Sequence, residues 1–106
     1  MRPGAQLGAV AAGALLNMKA IVTVLGKDKV GLIAKVSAYL ASVDVNVEEV
    51  SQTVVQDYFN MIMIVDISRA RDTIVRMADG LAALGEKESV VIRIQHEDIF
   101  NIMHKV

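Results

Sequence analysis

Cysteine and tryptophan are absent, proline occurs once, and aromatic residues make up 4% of the 106-residue chain. Without cysteine there is no disulfide framework, thiolate metal site or thiol nucleophile, and a reducing cytoplasm is a compatible home. An excess of one charge is lacking too: 11 Lys+Arg against 12 Asp+Glu leave a formal net charge of -1. That balance excludes recruitment to nucleic acid or anionic lipid by bulk charge. No uncharged apolar run reaches the roughly 20 residues that span a bilayer. What the chain does have is hydrophobic residues, 54% of the total. That proportion excludes intrinsic disorder, and the length gives one domain. A core of this size leaves a net stability on the order of 5 to 10 kcal/mol, so a partner that hides more apolar surface would help.

Residues 1–17, MRPGAQLGAVAAGALLN, hold the only proline, three glycines, five alanines and one charge, Arg2. Arg2 ahead of Leu7–Leu16 has the outline of a signal peptide, but glycines break its apolar stretch. Strand-like alternation begins only at Met18. Residues 1–17 are therefore read as a leader or disordered extension, whose removal should leave folding intact, and residues 18–106 as the domain.

AIVTVL (Ala20 to Leu25) is β-branched and apolar, and GKDKVG ends it, so a strand feeds a loop. Ile33, Val36, Leu40 and Val43 fall on one helical stripe. Val45 to Val55 reads as a second strand, with a bulge or bend where Glu48 and Glu49 interrupt the alternation. Gln56 and Asp57 predict a tight hairpin into Tyr58 to Ile67, where Phe59, Met61, Met63, Val65 and Ile67 share a face. Ser68 is the expected cap of a second helix carrying Ala70, Ile74, Met77, Leu81 and Leu84, with Gly80 weakening its interior and Gly85 just past its end. A fourth strand (Ser89 to Gln95) and a short amphipathic helix complete β-α-β-β-α-β-α. This order predicts an α+β ferredoxin-like βαββαβ sandwich, an antiparallel sheet with both main helices on one face, plus a C-terminal helix. Ile62 and Ile64 make the other face apolar as well. Together with Ile99, Phe100, Ile102 and Met103 they predict a homodimer that buries this second face.

Function must come from a site, since the fold hosts many. RNA-binding members stack bases on strand aromatics, and strand 1 has none. His96 and His104 have only Glu97 or Asp98 as a third ligand and read as surface residues. Glu48 and Glu49, adjacent in a strand, point to opposite faces and make poor acid-base partners. No nucleophile, metal set or cofactor motif emerges, so an enzyme has the least support. The informative loop is Gly26-Lys27-Asp28-Lys29-Val30-Gly31. It leads into a helix N-terminus able to hold a carboxylate on backbone N–H groups, with Asp28 placed to take an ammonium group and the glycines allowing close approach. It fits equally an ordinary βα connection in which Asp28 caps the helix.

The motifs Gly26-x-Asp28-x-x-Gly31-Leu32-Ile33, Val45-Asn46-Val47 and Ser51-Gln52-Thr53 together make residues 18–106 resemble the ACT domain. The likeness is to small stand-alone bacterial and archaeal ACT proteins related to the regulator of the glycine cleavage system. The resemblance implies a non-catalytic regulatory module that binds a small ligand, an amino acid, with no cofactor. It also implies a side-by-side homodimer whose ligand sites lie between the first loop of one subunit and strand 2 of its neighbour. Residue matching makes Asp28, Gly31 and Asn46 the site, with Gly26 in the loop motif and Gln52 as a further member. Expected partners are the ligand, a second copy and a regulated protein, with neither nucleic acid nor membrane. The alternative is an interaction module that docks a protein and binds no small molecule.

Overall fold

The computed structural model describes residues 18–27 and 30–103. The expectations placed on residues 1–17, Asp28 and His104 lie outside the described residues. Four strands form one antiparallel sheet: β1 (Lys19–Lys27), β2 (Asn46–Val55), β3 (Tyr58–Asp66) and β4 (Val91–His96), in the order β2-β3-β1-β4. Helices α1 (Leu32–Ser42) and α2 (Ile74–Glu88) cover one face. The short α3 (Glu97–Met103) touches β1 and β4 and sends Phe100 to the opposite face. This is the predicted βαββαβ sandwich with its extra helix.

The core is the face of the strands that meets the helices. Ala20, Val22 and Val24 from β1, Met61, Met63 and Val65 from β3, and Ile92 and Ile94 from β4 are buried against Leu32, Val36, Leu40, Met77 and Leu81. Period-2 alternation in the strands and the α1 spacing of i, i+4 and i+8 place these residues together. The α1 stripe differs from the expected one by a residue at its start. Leu32 is buried, while Ile33 is 41% exposed.

The hairpin is as tight as expected, with Val55 opposite Tyr58 and Gln56 at φ 55°. So is the bulge: the β2–β3 register shifts between Val47 and Glu49, leaving Glu48 as the extra residue. Two expectations about α2 are corrected. Ser68 does not cap it, because the Asp66 carboxylate accepts the Ser68 N–H at 2.8 Å and holds residues 67–70 in a turn. The cap is Thr73, whose Oγ1 accepts the Arg76 N–H at 3.2 Å. Gly85 does not end the helix either. It lies within α2, where a Cβ would sit 2.6 Å from the Val90 carbonyl, and Ser89 at φ 62° makes the left-handed turn instead. Gly80 likewise makes room, since a side chain there would overlap the Tyr39 hydroxyl. Burial pushes the Tyr39 phenol pKa up, and Asp72 adds to the effect.

Candidate functional site

Gly31 ends the β1–α1 loop at φ 80° and occupies the N-cap position of α1. Among the described residues, nothing beyond its chain neighbours lies within 4 Å of where its Cβ would be, and its positive φ is what calls for glycine. Gly31 supplies no side-chain cap to the first N–H groups of α1, and a helix N-terminus of this kind favours a carboxylate. Gly26 has a different reason to be glycine: a Cβ would overlap the Val90 side chain. Its place is thus accounted for by packing between β1 and the approach to β4.

Asn46 stands at the other end of the sheet. It pairs with Asp66, which pairs with Lys19 at the start of β1, whereas Gly26 pairs with Phe59 beside Val54. Gly26 and Gly31 on one side and Asn46 on the other are therefore separated along the strand direction by roughly 23 Å. Gln52 lies between them, opposite Met61 and exposed. One protomer does not bring the expected site residues together.

What does connect them is β2. Among the described residues it is an edge strand, paired only with β3, and every residue of it but Val47 is exposed. Its first turn of chain carries Glu48 and Glu49, but Val50–Val55 has no charge, proline or bulge to discourage strand addition. Around Asn46, the residues Ala41, Asp44, Val45 and Arg69 line a cleft. Asp44, at φ 60°, accepts from Arg71 Nε at 2.6 Å, and the Arg71 N–H donates to the Val43 carbonyl at 2.8 Å. That pairing raises the Arg71 pKa. Arg69 makes no ion pair among the described residues and leaves a cation at the cleft. Sequence reasoning passed over Arg69 and Asp44. The charge run in Ser68-Arg69-Ala70-Arg71-Asp72 is the signal the sequence offers, masked by its place at the expected start of a helix.

At the Asn46 end, Lys19 pairs with Glu48, and this contact is the main cause of a raised Lys19 pKa. His96 Nδ1 accepts the Asp98 N–H at 3.2 Å. Among the described residues no three His, Cys, Asp or Glu side chains group as a metal site, and no helix is long and apolar enough to cross a membrane.

The ACT-domain profile matches residues 19–95. The chain belongs to the ACT-domain family. A UPF0237 protein of Clostridium acetobutylicum is 48% identical over 89 residues, which take in 84% of this chain and 100% of that protein. Among solved structures, an ACT domain protein from Streptococcus pneumoniae is 40% identical with a TM-score of 0.70, covering 78% of this chain and 93% of that one. A putative glycine cleavage system transcriptional repressor shares the ACT fold at 18% identity and a TM-score of 0.62, covering 73% and 44%.

Proposed function

We propose that this ACT domain is a non-catalytic regulatory module that binds an amino acid at a homodimer interface and passes the change to a regulated protein. The observation that carries the reading is the separation of the motif's two halves to opposite ends of the sheet, joined by a β2 edge whose Val50–Val55 stretch is exposed and uncharged. Antiparallel pairing of two β2 strands about a two-fold axis near Val50 and Ser51 sets the partner's Asn46 beside the Val54–Val55 end, where Gly26 and Gly31 lie. Each dimer then has two composite sites. In each, the α1 N-terminus and Asp28 come from one protomer, and Asn46 with Arg69 from the other. Asp28 takes the ligand ammonium, the N–H groups after Gly31 take its carboxylate, and Gln52 flanks the seam. Membership of the ACT family and the fold shared with a putative transcriptional repressor support the regulatory part of this reading. The cysteine-free chain suits a cytoplasmic location.

A thermal-shift panel of free amino acids identifies the ligand, because native-state binding raises Tm by mass action. Calorimetry then tests the site. Asp28→Ala and Asn46→Ala should each weaken binding by about 1–3 kcal/mol while costing no more than about 1 kcal/mol of stability. Mixing the two variants should restore binding at about one quarter of the sites, since each heterodimer then holds one intact composite site. Absence of any amino-acid binding at millimolar concentration, or no recovery on mixing, overturns it. In that case the interaction-module alternative moves ahead, favoured by the exposed apolar side chains Leu25, Val55, Tyr58 and Val91. Chains starting at Met18 are expected to fold and assemble as the full chain does, and loss of soluble protein on that truncation counts against the domain division.

A further inference from the structure

The sheet face turned away from α1 and α2 is not uniform. Two rows across the three strands β4, β1 and β3 make the floor of a groove: Arg93, Thr23 and Ile62 in one, Val91, Leu25 and Asn60 in the next. Phe100 from α3 forms its wall. At about 4.8 Å between strands and about 3.4 Å per residue, this floor measures roughly 10 by 7 Å. Leu25, Val91, Ile62 and Phe100 make most of the lining apolar. Its polar members are one guanidinium, one hydroxyl and one amide. Among the described residues Arg93 has no carboxylate partner, and neither the Thr23 hydroxyl nor the Asn60 amide makes a side-chain hydrogen bond. Among the described residues no acidic side chain lines the groove.

From this arrangement we infer a second binding site, one for a compact apolar carboxylate that lacks an amine. The Arg93 fork donates to the carboxylate, the Thr23 hydroxyl and Asn60 amide donate to its remaining lone pairs, and the branched or aryl body lies over Leu25 and Ile62 against Phe100. With a guanidinium and no acid among the described lining residues, the groove disfavours an ammonium group. The site therefore selects against the amino acids assigned to the β2 seam. It lies on the other face of the sheet from Gln52 and shares no residue with that seam, so it goes beyond the reading above.

The test is titration of the 15N-labelled full-length protein with 4-methylpentanoate, read by amide shifts. Expected are saturable shifts at Thr23, Leu25, Asn60, Ile62 and Arg93, with Asn46 and Gln52 unmoved. Arg93→Gln should weaken the affinity at least about tenfold. Leu25→Ser should weaken it too, and leucine, the same skeleton with an ammonium added, should bind the groove at least about tenfold more weakly than the acid. No saturation by about 10 mM, shifts at Asn46 and Gln52 instead, or undiminished affinity in Arg93→Gln each overturns the inference. So do groove amides that move with protein concentration alone and ignore the acid, which would mean that a second copy fills the groove. Loss of amino-acid binding in Asn46→Ala reports on the β2 seam only, so either site can fail without the other.

Discussion

The two faces of the sheet are made by the same strands and differ in what lies on them. Along β3, Met61, Met63 and Val65 on the helix side are fully buried, while their neighbours Ile62 and Ile64 on the open side are only partly so. Both sets are apolar, and composition alone does not separate them. Two helices supply one layer, so one face gains a core and the other keeps its apolar side chains within reach of a partner. α3 shelters part of that second face, beside β1 and β4, and Ile21 there is buried. The rest is left as groove and exposed side chains.

Substitution can break this comparison most directly in β3. Met63→Ala should cost about 2–5 kcal/mol by leaving a cavity in the core, against about 1 kcal/mol for Ile62→Ala on the half-covered side. Equal losses in urea melts would mean that the open face is covered in solution. The close approach of α2 to the sheet gives a smaller effect. Gly85→Ala forces a methyl against the Val90 carbonyl and should cost about 1–3 kcal/mol by overpacking, measured in the same way.

Caps sharpen the picture further down the scale. Thr73→Ala should lower stability by about 1 kcal/mol, whereas Ser68→Ala should change it little, because the Asp66 bond uses the Ser68 N–H and survives the substitution. The smallest effect is one of pH. The Ser68 N–H, and after it the Ser68 hydroxyl, hold the Asp66 carboxyl pKa below its unfolded value, with Lys19 adding to the shift. Stability from this source is present at neutral pH and fades as pH falls through the carboxylate range toward the folded pKa. Acid melts of Asp66→Asn should show a slightly shallower loss than wild type.

Strand and helix order was legible because the periods are long and the breaks sharp: the hairpin at Gln56 and Asp57 and the bulge at Glu48 both follow from alternation and its failure. The end points of α2 were not. The sequence points to Ser68 alone as the cap, whereas the Asp66 side chain holds the Ser68 N–H in a turn and the cap falls to Thr73. Gly85 resembles a helix stop, yet its smallness serves β4 across the core, a contact that local sequence does not reveal. At the site, residue matching picked Gly31 and Asn46, but it gave no distance between them. The hairpin register places them at opposite ends of the sheet, and Arg69 comes near Asn46 only through the loop between β3 and α2.

Glu48 has a meaning for chain length as well as for shape. Val47 and Val50 both face the helices, although they are three apart, because Glu48 stands outside the ladder. A β2 lacking this residue would keep every other side chain on its present face and would lose the ion pair with Lys19. Removing a residue from Val50 onward would instead turn the side chains beyond it inside out, whereas loss of Glu49 gives the same chain as loss of Glu48. Within β2, the Glu48–Glu49 pair is thus the point where a gap in an alignment costs the fold least, and a relative one residue shorter there would still present Asn46 and Gln52 as this chain does.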